Sequence, residues 1–532
     1  MNGWDVLIYD TTLRDGTQGE QISFSAEEKL RIAQRLDEAG FAYIEGGWPG
    51  SNPKDMRFFE MAKKVSFKHA RLAAFGSTRK ADSMAENCKN LNALLKAETP
   101  TVTIFGKSWD LHVTEILGIT LDENFAMIYD SVVYLKAQGR EVIFDAEHFF
   151  DGYKHNPQYA CKVLRTALSA GADMIVLCDT NGGTLATDIT TVLQKVCSTV
   201  PASRLGIHAH DDCGLGVANS LAAVQMNVKM VQGTINGYGE RCGNADLIPI
   251  IACLHLKMNK SCLPGSSIKQ LTNLSYYISD IANIPPLNSR PFVGKSAFTH
   301  KGGIHVSAIS KNSAAYEHIQ PQLVGNRQRV LVSDLAGKSN IEYKAKELGI
   351  KLGKDENISQ RIVQEIKRLE DEGYQFDVAD GSLSLLINKI TGGFKEPFKL
   401  ESFHVTNSKH GNKPALSQAT IKISVGQEEE LTAAEGNGPV NALDHALRKA
   451  LTKFYPQIQE MHLVDFKVRI IESSAATAAK VRVLLDSEDE EEIWSAIGVS
   501  TNIIEASWEA LVDSIQYKLS KDLNKKKKKE TA

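Results

Sequence analysis

The chain has 532 residues and a mass of 58.4 kDa, is 42% hydrophobic and 23% charged, and carries a formal charge of −3. These proportions are globular and exclude a chain disordered throughout. They also give no broad basic field for nucleic acid. A single core stops growing at about 250–300 residues, so the length predicts two or three domains.

The first residues, MNGWDVLIYD, lack the basic and apolar regions of a secretory signal. No apolar run approaches the roughly 20 residues of a bilayer span. All eight cysteines fall in the first half without a CxxC pair, which predicts reduced thiols and a cytoplasmic location, with no membrane partner.

Eight short β-rich apolar runs follow one another: Val6–Tyr9, Tyr43–Glu45, Leu72–Phe75, Val102–Phe105, Val142–Phe144, Met174–Cys178, Leu205–Ile207 and Met230–Gly233. Stretches with helical periodicity, such as Glu28–Leu36 and Val163–Ala170, lie between them. A β-then-α unit repeated eight times predicts an α/β fold of the closed parallel (β/α)8 TIM-barrel type, with an open doubly wound sheet as the alternative. In the barrel, chemistry belongs where strands end and βα loops begin.

The barrel is expected over residues 1–262, and a linker with helical subdomains over 263–385. From 386 to 520 the pattern becomes α+β and repeats. Phe398–Val405, Ala419–Val425 and Glu430–Ala434 lead into a helix with Leu443, Leu447 and Leu451 on one face. Val464–Ile471, Ala479–Leu485 and Trp494–Val499 lead into another, with Ile504, Trp508, Leu511, Ile515 and Leu519 on one face. This duplicated βββα unit suits a small-molecule-sensing or dimerisation module. The acidic run Asp486–Glu492 reads as a solvated loop, and residues 521–532, with Lys525–Lys529, as a disordered tail.

The strand ends collect polar groups. Asp10-Thr11-Thr12-Leu13-Arg14-Asp15-Gly16 follows the first strand, and His208-Ala209-His210 ends the seventh. Residues i and i+2 of a strand share a face, so both imidazoles project into the barrel mouth. The glycine-rich loop after the eighth strand offers Asn244. Taken alone, His-x-His reads as two satisfied polar residues; at this strand end, with acids on neighbouring loops, it reads as a divalent-metal site. His208, His210 and Asp15 make a facial set, Asn244 adds a neutral oxygen, and two positions stay open for substrate. Zn, Mn or Co fits mixed nitrogen and oxygen ligation better than Mg alone. Such a metal can chelate a 2-oxo acid, with Arg14 stabilising a developing alkoxide. Thr180, at the end of strand six, can hold the carboxylate or simply form a turn. Glu147, at the end of strand five, is a candidate acid or base, an orienting group or an ion-pair partner.

The segments around Arg14-Asp15, His208-x-His210 and Gly237-x-Gly239-Glu240-Arg241-x-Gly243-Asn244 together resemble the acyl-CoA-condensing barrel enzymes, the 2-isopropylmalate, homocitrate and citramalate synthases. The resemblance continues through Thr299–His305 and the C-terminal repeat, which is similar to the amino-acid-binding regulatory domain of those enzymes. Ile44–Asp55 and Phe144–Tyr153 resemble the branch that condenses acetyl-CoA with pyruvate. The resemblance implies Asp15, His208, His210 and Asn244 as metal ligands, Arg14 on the ketone, Thr180 on the carboxylate and Glu147 in the site. It further implies that His305, with Tyr316 shortly after, enters the mouth of a neighbouring subunit as the base, hence a homodimer. Acetyl-CoA is then the co-substrate, pyruvate the acceptor and isoleucine the expected feedback inhibitor. Phe75 and Phe105 either limit the room beside the ketone's methyl group or belong to the core. The 2-isopropylmalate and homocitrate synthase branches are the first rival readings, followed by an acyl-CoA lyase and a non-catalytic amino-acid sensor.

Overall fold

The computed structural model describes residues 3–353, 355, 357–471 and 478–530. Contacts divide the chain into two compact units, Met1–Phe298 with Ile319–Arg327, and Thr299–His318 with Gln328–Ala532. No helix among the described residues is long and apolar enough to cross a membrane.

Eight parallel strands close the first unit into a barrel: β1 (Leu7–Asp10), β2 (Tyr43–Gly47), β3 (Arg71–Ser77), β4 (Thr101–Lys107), β5 (Glu141–Glu147), β6 (Met174–Asp179), β7 (Leu205–Ala209) and β8 (Met230–Gly233). Seven strands contain their apolar run whole, and β1 takes all of its run but Val6. Closure is made at the seam where β1 pairs with both β2 and β8. Beyond the ladder, Thr12 strengthens that seam: its hydroxyl donates to Asp10 at 2.8 Å and accepts from the Ile235 amide at 2.8 Å.

Side-chain alternation divides the strands into two faces. Outward residues such as Ile8, Ile44, Val102 and Ile175 pack under the helices. Leu7, Tyr9, Tyr43, Ala73, Ile143, Met174, Val176 and Met230 fill the inside as a separate apolar plug. One further step along the inward face lies a polar layer containing Glu45, Asp145, His208 and Gln232, all buried. The apolar plug closes the barrel below, so that layer opens only at the carboxyl ends of the strands.

The first unit runs past the expected boundary at 262. The helix Leu271–Ile281 packs Leu271, Leu274 and Ile278 into the barrel's outer core, joined by Phe292, Val293 and Phe298. The strand rhythm had ended by then, so only packing reveals this extension.

The second unit opens with a small parallel pair, β9 (Thr299–His300) and β10 (Arg329–Val330). A helical cluster around Ile341, Ile362, Ile366 and Leu383 follows. Two antiparallel sheets then repeat one order: β11 (Lys399–Ser408), β12 (Leu416–Val425), β13 (Glu428–Gly436), and β14 (His462–Ile470), β15 (Val481–Glu488), β16 (Ile493–Ser500). The helices Pro439–Thr452 and Ile503–Glu530 follow the first and second sheet. Leu443, Leu447 and Leu451 share one core with Trp508, Leu511, Ile515 and Leu519, so both predicted stripes face inward.

Two local expectations change. The acidic run is a solvated loop only in part: Asp486–Glu488 lie in β15 and the Asp489 side chain packs against Lys518 and Lys521, while Glu490–Glu492 are exposed in the turn that follows. The last helix continues through Glu530, beyond the expected end at 520, and the backbone of Lys525–Lys529 is part of it. Residues 531–532 of the expected tail lie outside the described residues.

Candidate active site

Arg14 sits just beyond β1 and is the cation of the mouth. Its Nε donates to Glu45 Oε2 at 2.6 Å, its Nη1 lies 3.3 Å from Asp15 Oδ2, and its guanidinium carbon stands 3.6 Å above the Phe75 ring. Glu45 also accepts from the Tyr9 hydroxyl at 2.8 Å. An unpaired buried charge costs several kcal/mol, so this three-sided grip is what lets a guanidinium remain in the barrel. Two carboxylates, Asp15 and Glu45, nevertheless lean on one guanidinium.

Asp15, His208 and His210 meet beside it, with one ligand atom from each lying within 4.8 Å of the others. The Nε2 atoms of the two histidines face each other at 3.4 Å, and His208 Nε2 lies 3.3 Å from Asp15 Oδ2. Burial works to raise the Asp15 carboxyl, but Arg14 and the two imidazoles outweigh it and hold it at about 2. Burial, helped by His208, pushes the His210 imidazole down to about 4, leaving it neutral at pH 7. An ionised carboxylate and neutral imidazoles are the states that bind divalent cations.

Asn244 comes to this group through an isolated antiparallel bridge to His210. Its Nδ2 donates to the Tyr238 carbonyl at 3.0 Å. Gly239 makes this possible: at φ 155°, a Cβ there would stand 2.1 Å from Asn244 Nδ2. Among the described residues, Asp15 Oδ1, Asn244 Oδ1 and His210 Nδ1 are buried without a hydrogen-bond partner. Buried polar atoms are rarely left so. Orphaned oxygens beside facing imidazole nitrogens, with an excess carboxylate, fit a divalent cation.

The mouth forms a cavity of about 210 Å³. Every other expected residue of the barrel unit lines it: Phe75, Phe105, Glu147 and Thr180. Phe75 and Phe105 stack with centroids 5.6 Å apart. Thr180 Oγ1 accepts the His148 amide at 2.9 Å, which leaves its own proton to donate. Glu147 is ion-paired with Lys107. His305 and Tyr316 belong to the second unit, where their rings stack at 4.3 Å and both side chains are exposed.

Several residues escaped the sequence reading. Trp48 stands edge-on to both Phe75 and Phe105, at 5.8 and 5.7 Å, completing an aromatic wall. It is fixed by Asn90, which accepts its indole N–H at 2.7 Å, and by Asp55, which accepts its amide at 2.9 Å. The same Asp55 holds buried Lys29. Gly47, at φ 149°, leaves room for that carboxylate, since a Cβ would lie 2.4 Å from its carbon. Arg241 grips Asp212 at 2.8 and 3.0 Å and donates to the Thr180 carbonyl at 2.7 Å. Burial pushes Asp145 well above the usual carboxylate range. Counting twos along the strands from the apolar plug would have found Glu45, Asp145 and Gln232.

Comparison with known proteins finds the family. Residues 5–278 match the family described as HMGL-like, 292–374 the homocitrate synthase post-HMGL domain-like family, and 377–519 the LeuA allosteric (dimerisation) domain. An (R)-citramalate synthase of Aquifex aeolicus is 54% identical over 97% of this chain and 98% of its own length. One of Geobacter sulfurreducens is 52% identical over the same shares. A 2-isopropylmalate synthase of Methanocaldococcus jannaschii is 30% identical over 97% of this chain and 95% of its own. With this barrel, this mouth and near-complete coverage by such relatives, the chain belongs to the (R)-citramalate synthase family of acetyl-CoA-condensing enzymes.

Proposed function

We propose that this chain joins acetyl-CoA to pyruvate, releasing (R)-citramalate and CoA, with a divalent cation (Zn, Mn, Co or Mg) held by Asp15, His208, His210 and Asn244. The observation that carries the reading is the meeting of Asp15, His208 and His210 within 4.8 Å, beside Arg14. When bound, such a cation supplies Lewis-acid polarisation of the ketone of a 2-oxo acid.

The chain's own groups do the rest. Arg14, locked by Glu45 and Phe75, places fixed positive charge where the ketone oxygen becomes an alkoxide. The free Thr180 proton donates to the pyruvate carboxylate. Phe75, Phe105 and Trp48 leave room for a methyl group and exclude larger ones. The base that removes a proton from the acetyl methyl is His305 of the second subunit of a homodimer, with Tyr316 stacked on it, acting together with Glu147. The methyl carbon then bonds to the ketone carbon, and water cleaves the thioester to free CoA. The C-terminal unit takes isoleucine as feedback inhibitor. Cytoplasm is the expected location, in keeping with eight free cysteines.

Free-thiol release from acetyl-CoA, measured with a panel of 2-oxo acids, tests this. Pyruvate should give the fastest release, a chelator should stop it, and added divalent cation should restore it. Faster release with 2-oxoisovalerate would overturn the acceptor; undiminished turnover after complete chelation would overturn the cation.

A further inference from the structure

We propose that Gln232 is a positioning residue that fixes which ring nitrogen of His208 turns toward Asp15 and His210, and thereby sets how tightly the mouth holds its divalent cation. The inference rests on the cation site proposed above and extends it one layer outward.

Gln232 lies on β8 directly across from His208 on β7, and it is completely buried. Its Oε1 stands 2.9 Å from His208 Nδ1, and its Nε2 donates to Asp145 Oδ1 at 3.1 Å. Both ends of the amide are therefore used, and Asp145 holds the nitrogen end away from the histidine.

A neutral imidazole carries one N–H. On Nδ1, that proton is donated to Gln232, and the lone pair sits on Nε2, the atom that faces Asp15 Oδ2 and His210 Nε2. The other tautomer would set two acceptors against each other at the Gln232 contact and place a proton where the cation belongs. Metal-binding histidines usually lean on a carboxylate or a carbonyl through the remote nitrogen, which orients the ring and raises its basicity. Here a neutral side-chain amide has that place. Two carboxylates already lean on Arg14, and the amide adds no third charge to the layer, so the cation keeps its pull on electrons.

The test compares Mn²⁺ binding to full-length protein stripped by chelator, followed by calorimetry, in wild type, Gln232→Met and Gln232→Glu. Methionine keeps the volume and removes the acceptor; glutamate keeps an acceptor. Burial pushes Asp145 well above the usual carboxylate range, the direction in which it can donate to that glutamate. Mn²⁺ affinity should fall about 10- to 100-fold in Q232M and stay within about threefold of wild type in Q232E. Wild-type affinity in Q232M would overturn the role, as would a loss in Q232E equal to that in Q232M. Melting of the stripped proteins shows whether each barrel is folded; should Q232M fail to fold, retention in Q232E supports the role and loss of binding there overturns it. If wild type binds no Mn²⁺, or if His208→Ala binds it equally well, the cation site itself is wrong, a result distinct from a failure of Gln232 alone.

Discussion

Two buried clusters of charge, one in each unit, are built from similar residue types to opposite ends. In the C-terminal unit, Asp489 accepts Lys518 and Lys521 on one oxygen, at 3.0 and 2.8 Å, and the amides of Glu491 and Glu492 on the other, at 3.0 and 3.1 Å. Lys518 also reaches Glu460 and Asp522. Both oxygens of Asp489 are used, and the result ties the last helix to the β15–β16 turn. At the barrel mouth, Asp15 and Asn244 each keep a buried oxygen without a partner, and two imidazole nitrogens face one another. A saturated cluster holds a fold together; an unsaturated one is held open by its surroundings for something that is not protein.

Substitutions should separate the two. The largest effect is expected from Arg14→Lys. A lysine cannot grip Glu45 through Nε, reach Asp15 and lie flat on Phe75 at once. The kcat should fall about 10²- to 10³-fold, the size of losing one aligned donor to a developing oxyanion, while melting of the C-terminal unit stays unchanged. Steady-state kinetics with a change under threefold would reduce Arg14 to an ion-pair partner of Glu45.

A smaller effect is expected from Phe105→Ala. It removes one face of the stacked pair and leaves Trp48 and Phe75 in place. Competition between 2-oxobutanoate and pyruvate should shift about tenfold toward the longer acid, within the range for one methylene. An unchanged ratio would assign Phe105 to the core.

How far the sequence showed this contrast depends on which residues are asked about. The eight strands were legible because their apolar runs face a plug on one side and helices on the other, and few other arrangements use such runs. Asp15, His208 and His210 were legible because they share strand ends and chemistry. Glu45, Asp145 and Gln232 were not, since a lone polar residue in a strand gains meaning only when its inward parity and its neighbours across the barrel are known. The acidic run misled for a related reason: local composition at Asp486–Glu492 says solvent, and only the lysines about 30 residues later, one side of a helix, turn Asp489 into a buried partner. His305 carries no local signal; it is an exposed residue of the helix Gly303–Lys311 in the second unit, and only resemblance points to it.

The smallest effect on catalysis, and the clearest on stability, should come from Asp489→Asn. Burial works to raise this carboxyl, but Lys521, Lys518 and the two amides outweigh it and hold it well below its ordinary 3.8. A carboxyl with a depressed folded value contributes its full stability above the unfolded value and loses it as pH falls through the folded one. The stability gap between wild type and D489N should therefore be constant near neutrality, roughly 1–3 kcal/mol, and should shrink once the pH drops below about 4. Denaturant unfolding of the C-terminal unit across that range measures it, and kcat at neutral pH should match wild type because Asp489 touches nothing in the mouth cavity. A gap that stays constant down to pH 2 would mean that the lysines hold Asp489 by hydrogen bonds that do not depend on its charge, and the two clusters would then differ in geometry but not in electrostatics.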